Sequence, residues 1–176
     1  MSSPRKSADT LCPVARAEDL VGDRWTVLVL RELFMGNRRF DEIQAQTGGT
    51  PQMVATRLKQ MEADGLVLRT RYNERPVRYE YQLTVKGEAF YPVILALRAW
   101  GEQWCKSAEE GIAVRFTHRT CGLPAGLGPL CEGCGEVLRR EDLSGEQSAT
   151  YAEERNERRD AFRAARGTVS PEQRGG

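Results

Sequence analysis

The stretch Arg38–Thr84 reads RRFDEIQAQTGGTPQMVATRLKQMEADGLVLRTRYNERPVRYEYQLT, and its pattern predicts two helices separated by a tight turn. The first helix covers Asp41–Ala45 and ends at the turn 47–49, where two glycines interrupt it. Thr50 is a suitable N-cap for the second helix, because its hydroxyl can accept a bond from a free backbone N–H. Pro51 fits the first turn, where a missing N–H costs nothing.

The second helix, Pro51–Asp64, has an apolar face and a polar face. Its apolar residues recur at helical spacing and should be buried; they are Val54, Leu58 and Met61. A polar set is left facing outward: Gln52, Thr56, Arg57 and Gln60. Gly65 ends the helix, and two β-rich runs, Leu66–Tyr72 and Val77–Leu83, follow as a hairpin. This order predicts a mainly α fold with a small β-hairpin wing, the winged helix-turn-helix that reads DNA.

Local charge supports this prediction better than total charge does. The whole chain of 176 residues carries a net charge of only +1, and its 40% hydrophobic content is enough for a core. Between Arg24 and Lys86, however, eleven basic residues face seven acidic ones, a difference of +4. The hairpin alone contributes Arg69, Arg71, Arg75 and Arg78. Clustered positive charge is typical of a phosphate-binding face, although these arginines could also be solvated charges at a strand edge.

Nothing in the sequence predicts a membrane segment. The first ten residues, MSSPRKSADT, have no apolar run, and no stretch reaches the roughly 18 apolar residues of a membrane span. We therefore expect a cytoplasmic protein. In that reducing compartment its five cysteines should be thiols or metal ligands rather than structural disulfides.

The first domain, 1–110, should also contain helices on both sides of the winged helix-turn-helix, Arg38–Leu83, which we call the reading module. Two are expected before it, Pro13–Val21 and Asp23–Phe34, and one after it, from Thr84 to about Ser107 with a kink at Pro92. The last helix carries an apolar stripe of Ala89, Val93, Leu97, Trp100 and Trp104. This stripe could form a dimer seam or pack on the second helix of its own subunit.

The segment 111–140 contains a Cys/His pattern typical of a zinc-ribbon-like site. It reads HRTCG at 118–122 and CEGCG at 131–135, with nine residues between the two cysteine-bearing turns. A two-residue gap lets a tight turn present two ligands from one side, and glycine eases that turn. With four ligands, the site should hold a structural zinc ion, and the ligands are His118, Cys121, Cys131 and Cys134. The alternative is a set of unrelated thiols beside a surface imidazole.

The remaining segment, 141–176, is charged and poor in large apolar residues. From Glu136 to the end there are eight basic and nine acidic residues. Such a composition rarely buries enough apolar surface to fold. We expect a mostly disordered charged tail.

From about Cys12 to Trp104 the chain resembles the HxlR-type transcriptional regulators, a winged helix-turn-helix family related in architecture to the MarR type. The likeness rests on the segments CPVARAEDLVGDRWTVLVLREL, GNRRFDEI, TPQMVATRLKQMEADGLV and RPVRYEYQLTVKG. It covers more than half of the chain. It implies a homodimer that forms through the first and last helices and binds double-stranded operator DNA, and it favours repression over activation.

The resemblance also implies residue roles. Pro51–Asp64 matches the recognition helix, whose positions at base edges and phosphates are Thr50, Gln52, Thr56 and Arg57, with Gln60 on the same face. Arg71, Arg75 and Arg78 match the wing and its flanks, which touch the DNA backbone or minor groove. Some members of the family use an N-terminal cysteine to sense oxidants or electrophiles. Cys12 occupies such a position at the start of the first helix, although it could equally fill a gap between helices.

A second functional class stays open at this point. The protein could be a redox- or metal-responsive interaction module whose winged helix docks another protein instead of DNA. Steep salt dependence of DNA affinity would separate the two hypotheses. An enzyme is the weakest hypothesis, because no paired carboxylate and base, and no glycine-rich phosphate loop, is apparent. No residue pattern names a small-molecule effector.

Overall fold

The computed structural model describes residues 10–167. These form two compact units, and the division along the chain falls between Glu88 and Ala89. The first unit contains α1 Pro13–Val21, α2 Arg24–Phe34, α3 Phe40–Thr47, α4 Pro51–Ala63, β1 Val67–Glu74, β2 Val77–Leu83 and α5 Val85–Glu88. The second contains α6 Tyr91–Trp104, β3 Val114–His118, β4 Leu143–Gln147 and α7 Ala149–Gly167. Within the described range, no helix combines the length and apolar character needed to cross a membrane.

Helix α2 is at the centre of the first unit and packs against α1, α3, α4 and β2. Val29 and Leu30 in the middle of α2 are completely buried, as are Ile43 of α3 and Val54 and Leu58 of α4. These apolar side chains supply the main stabilisation, at about 1.5–3 kcal/mol for each one fully buried. The winged helix-turn-helix predicted from the sequence is confirmed, with α3 and α4 as its two helices and β1–β2 as its wing.

A buried carboxylate joins α2 to the start of the reading module. Glu32 is 0% exposed, so each of its oxygens needs a donor. Asn37 Nδ2 donates to Glu32 Oε2 at 2.6 Å, and Arg31 Nε donates to Oε1 at 2.8 Å. The same guanidinium donates at 3.1 Å to the backbone oxygen of Gln46 in α3. The network fixes the end of α2 against α3.

The wing is an antiparallel hairpin whose register runs from Val67 opposite Leu83 to Glu74 opposite Val77, with a bulge between Arg71 and Asn73. Its first strand therefore continues two residues beyond the predicted end at Tyr72. At the base of the hairpin, the Thr84 hydroxyl donates to Gly65 O at 2.6 Å and accepts from Gly87 N at 3.1 Å. Thr84 thus caps the N-terminus of α5.

The single kinked helix predicted from Thr84 to Ser107 is wrong. The chain forms α5 over Val85–Glu88 and restarts as α6 at Tyr91, with Pro92 in the first turn. Proline has no N–H to donate and its ring clashes with the carbonyl four residues earlier, here that of Glu88. The helix therefore ends at Glu88, and the proline starts a new one.

The expected disordered tail is also wrong over most of its length. Leu143–Gln147 forms β4, which pairs antiparallel with β3 from Val114 opposite Gln147 to His118 opposite Leu143. Helix α7 follows, and its Arg155 side chain is only 4% exposed. Long-range strand pairing and burial of an arginine order this segment, and neither can be read from composition. Residues 168–176 of the expected tail lie outside the described residues.

The expected domain boundary at 110 also differs from the structure. Helix α6 forms a compact unit with the Cys/His segment rather than with the reading module. Two side chains of α6 explain this grouping. Arg98 donates to backbone oxygens of the Cys/His segment, and Glu102 accepts from Ala113 N at 3.1 Å.

Candidate nucleic-acid interface and metal centre

The turn between α3 and α4 places α4 as the predicted recognition helix. Gly48 ends α3 with a positive φ of 69°, a conformation that glycine adopts without strain. The Thr50 side chain caps α4 by accepting a bond from Met53 N at 3.3 Å, and Pro51 occupies the first turn. The cap and proline predicted from the sequence are both present.

Helix α4 buries one face and exposes the other. Val54, Leu58 and Met61 are at most 1% exposed, as their spacing predicted. Three of the predicted DNA-contacting side chains on the other face are exposed, namely Gln52, Thr56 and Gln60, and Thr50 is exposed at the N-terminus of the helix. The outer face of α4 therefore offers amide and hydroxyl groups to solvent.

Arg57 is placed differently from the other predicted contacts. Its Nη1 lies 3.0 Å from Asp23 Oδ2, and the two side chains are only 26% and 29% exposed. Asp23 precedes α2 and caps it. No functional role was predicted for Asp23, although its place just before the apolar residues of α2 is typical of an N-cap.

The arginines of the wing differ in whether their side chains interact with other described residues. Arg69 lies 3.4 Å from Glu62 and stacks over the Tyr79 ring, so it is engaged within the protein. The other three arginines of the hairpin are exposed and have no side-chain partner among residues 10–167; they are Arg71, Arg75 and Arg78. These three predicted contacts can bind an anion without first breaking an ion pair.

The four predicted metal ligands come together in the second unit. Their ligand atoms all lie within 4.8 Å of one another. Cys121 Sγ is 3.4 Å from His118 Nδ1 and 3.7 Å from Cys131 Sγ, and Cys134 Sγ is 3.4 Å from the same Nδ1. Metal–sulfur bonds of about 2.3 Å and metal–nitrogen bonds of about 2.0 Å give tetrahedral edges of about 3.5–3.8 Å. The cluster could therefore hold a tetrahedral metal ion.

The backbone builds this cluster from two similar turns. Gly122 N donates to His118 O at 2.8 Å, and Gly135 N donates to Cys131 O at 2.8 Å. Both glycines have positive φ, 73° and 77°, which explains why a glycine follows each cysteine-bearing pair. Glu136 Oε2 lies 3.8 Å from His118 Nε2, on the far side of the ring. A carboxylate there favours the proton on Nε2 and leaves Nδ1 as the ligand atom.

The thiols of the cluster affect one another. Burial opposes the Cys131 thiolate, but bonds from the backbone of Cys134 and Gly133 outweigh it and lower the pKa of Cys131 to about 7. A bond from the backbone of Glu136 favours the Cys134 thiolate, yet burial and the thiols of Cys131 and Cys121 raise the pKa of Cys134 to about 11. Close thiolates repel each other. Three of them can coexist here only beside a cation, which is the chemistry of a metal site.

Arg98 of α6 supports the Cys/His segment, a role that was not predicted from the sequence. Its guanidinium donates to Leu127 O at 3.0 Å, to Gly126 O at 3.3 Å and to Val114 O, and it stacks over the Phe116 ring. Burial lowers the pKa of Arg98. A charged residue on a helix is usually exposed, so no local signal identified this one.

The two cysteines outside the cluster are exposed. Cys12 is the N-cap residue of α1, and its side chain makes no capping bond. Within a single chain, Cys12 therefore does not fill a gap between the described helices. Cys105 is exposed at the C-terminus of α6.

The fold and the basic hairpin define the class, a winged helix-turn-helix DNA-binding protein. The HxlR-like helix-turn-helix pattern matches residues 20–109. The chain therefore belongs to the HxlR-like helix-turn-helix family, and it is a DNA-binding transcriptional regulator.

Relatives extend the similarity beyond this pattern. The HTH-type transcriptional regulator Rv3095 of Mycobacterium tuberculosis is 36% identical over 133 residues, which cover 76% of this chain and 84% of that protein. The family match ends at residue 109, and an alignment of 133 residues cannot fit within the first 109 residues. The similarity to Rv3095 therefore continues into the Cys/His segment. The crystal structure of the transcription-factor candidate PA1607 matches with a TM-score of 0.62 at 33% identity, over 81% of this chain and 99% of that one. The reduced form of the redox regulator HypR matches with a TM-score of 0.50 at 31% identity, over 56% of this chain and 99% of that one.

Replacing Arg98 by methionine should destabilise the second unit. Methionine retains an apolar stem but leaves three backbone oxygens without their donor, which we expect to lower the free energy of unfolding by about 2–4 kcal/mol. The control is Arg115→Met, at an exposed arginine of β3 with no side-chain partner in the described range. Calorimetry should show a shifted transition for the first variant only. Equal transitions for both variants would contradict a supporting role for Arg98.

Proposed function

We propose that this regulator is a homodimeric repressor that reads an inverted repeat in double-stranded DNA through α4 and its wing. The observation that carries the proposal is the pairing of two surfaces in one unit. Helix α4 exposes amide and hydroxyl groups, and the adjacent hairpin exposes three arginines that have no side-chain partner among the described residues. One surface suits base edges and the other suits phosphates.

The base-reading role belongs to the outer face of α4. Glutamine can make paired bonds to adenine in the major groove, and threonine can bond a base or pack on a thymine methyl. Gln52 and Thr56 are exposed polar residues in the N-terminal half of α4, the end of a recognition helix that usually contacts bases. Gln60 lies one turn beyond Thr56 and donates to Asp64 at 3.0 Å.

Exposed apolar residues near the start of α1 and along α6 support the homodimer. Near the start of α1, Leu11 is 92% exposed and Val14 is 74% exposed. Helix α6 exposes a stripe at helical spacing, formed by Val93, Leu97, Trp100 and Trp104. Apolar surface of this kind is more stable when a partner covers it. A second copy of the chain fits because an inverted repeat requires two-fold symmetry.

Zinc is the metal we propose for the Cys/His cluster. Three thiolates and one imidazole in a tetrahedron are typical of zinc, and a set of four protein ligands leaves no open position for catalysis. The ion would therefore have a structural role, stabilising a segment that has few buried apolar side chains of its own.

A response to oxidants is the second part of the proposal. It rests on the exposed Cys12 at the N-terminus of α1 and on the similarity to HypR, which is a redox regulator. Oxidation of a cysteine requires access to its sulfur, and the exposed position of Cys12 provides that access.

The wing arginines should account for a measurable part of the salt dependence of DNA binding. Log affinity falls with log salt by about 0.9 for each phosphate neutralised. Arg71→Ala, Arg75→Ala and Arg78→Ala should each flatten this slope by up to about one unit per subunit in titrations against the DNA upstream of the protein's own gene. The matched control is Arg158→Ala in α7, an arginine already paired with Glu154. Slopes that do not change would indicate that the winged helix docks a protein instead.

Purified protein should contain about one zinc ion per chain, and Cys131→Ser should remove it. Elemental analysis measures the metal, and calorimetry should show a lower melting temperature for the second unit of the variant. Cys105→Ser is the control, because this exposed cysteine lies outside the cluster. The site would be excluded if the purified wild-type protein contained no metal and Cys131→Ser had the same melting temperature as the wild type.

Mild oxidant should weaken DNA binding by the wild-type protein, and Cys12→Ser should remove this response. The measurement is DNA affinity before and after treatment with dilute peroxide, followed by reduction. Zinc content is measured in parallel, so that damage to the Cys/His cluster is detected separately. An equal response in Cys12→Ser would assign the sensitivity to another thiol.

A further inference from the structure

The ion pair between Asp23 and Arg57 joins the N-terminus of α2 to the middle of α4. We propose that this pair sets the orientation of the recognition helix, so that Arg57 is a positioning residue for base reading rather than a DNA contact. The proposal rests on the DNA-reading function of α4 proposed above. It differs from the role that the family resemblance implied for Arg57.

Bonds from the first turn of α2 hold the Asp23 side chain in place independently of Arg57. Its Oδ1 accepts from Trp25 N at 2.9 Å and from Thr26 N at 3.0 Å, and its Oδ2 accepts from the Thr26 hydroxyl. A carboxylate at a helix N-terminus is also favoured by the helix dipole. Four donors, including Arg57 Nη1 at 3.0 Å, therefore hold one side chain whose position the backbone of α2 determines.

A second contact from the same end of α2 holds the turn before α4. The ring of Trp25 packs against Gly49, since a Cβ at that position would lie 3.2 Å from Trp25 Cζ3 and 2.9 Å from Val54 Cγ2. No side chain fits there without a shift in its neighbours. Trp25 thus fixes the start of α4 and Asp23 fixes its middle, so two residues at the N-terminal end of α2 determine both the position and the angle of α4.

This arrangement matters for specificity more than for folding. A partly exposed ion pair contributes only about 0–1 kcal/mol to stability, far less than the buried face of α4. Hydrogen bonds to base edges, however, weaken steeply when distance or angle departs from its optimum. A small rotation of α4 would move Gln52 and Thr56 together and weaken their contacts with bases.

The substitution Asp23→Asn separates the two roles of Arg57, because they predict effects of opposite sign. Asparagine is as good an N-cap as aspartate, so α2 should keep its start while the ion pair loses its charge. If Arg57 positions α4, this substitution weakens sequence-specific binding. If Arg57 binds phosphate, the same substitution releases it from Asp23 and strengthens binding to any DNA.

The test compares Asp23→Asn, Arg57→Gln and their combination with the wild-type chain. The probe is the duplex that wild-type protein enriches from a random double-stranded library, measured against a scrambled duplex over a salt series. Each single variant should lower the ratio of specific to scrambled affinity about tenfold, with an unchanged salt slope. The double variant should be no worse than either single one, and Arg57→Lys should restore part of the ratio.

Controls separate this role from loss of structure and from simple loss of charge. Melting temperatures within a few degrees of wild type show that α4 is still folded. Lys59→Gln removes an exposed charge of α4 that has no side-chain partner among residues 10–167, and it should leave the affinity ratio unchanged.

Two results would overturn the proposal. One is tighter binding by Asp23→Asn, and the other is a salt slope that Arg57→Gln flattens by about 0.9 for each phosphate that is no longer neutralised. Failure of the proposed function itself gives a different result. In that case the wild-type chain enriches no duplex from the library at all.

Discussion

Burial of one face of α4 against α2 is the constraint on which the first unit depends. Val54, Leu58 and Met61 are at most 1% exposed, and together they contribute about 5–9 kcal/mol of transfer free energy. Because an α-helix repeats every 3.6 residues, burying this face forces Gln52 and Thr56 to the opposite side. The ion pair from Arg57 to Asp23 is worth far less. Burial therefore decides that α4 docks, and the polar contact adjusts its angle.

The second unit depends on polar anchors, because its apolar core is small. Leu95, Leu138 and Leu143 are almost completely buried in its described part, but a core of this size usually needs additional links. Arg98 supplies one by bonding three backbone oxygens, and the Cys/His cluster supplies another. Both links act on the segment between β3 and β4, which contains little regular structure of its own.

The sequence predicted those features that local rules determine. The helices α3 and α4 and the wing followed from period, cap and turn residues, and the Cys/His cluster followed from spacing and glycine. The failures came from long-range partners. Arg57 was expected to face outward because it is polar, but only the fold shows that Asp23 lies within its reach. The order of β4 was missed for a similar reason, since β4 pairs with β3, which is distant in sequence. The break before Pro92 is different, because proline geometry could have predicted it.

Electrostatic partners, rather than the number of arginines, determine which surface can bind phosphate. Helix α7 is rich in arginine, but Arg158 pairs with Glu154 and Arg163 pairs with Asp160 on the same helix. In the first unit Arg57 and Arg69 are likewise engaged by carboxylates. The wing differs because three of its arginines have no such partner among the described residues. A paired cation must give up one interaction to gain another, so its net contribution to DNA affinity is small. Unpaired cations next to α4 thus give a nearly neutral chain a basic surface beside the proposed recognition helix.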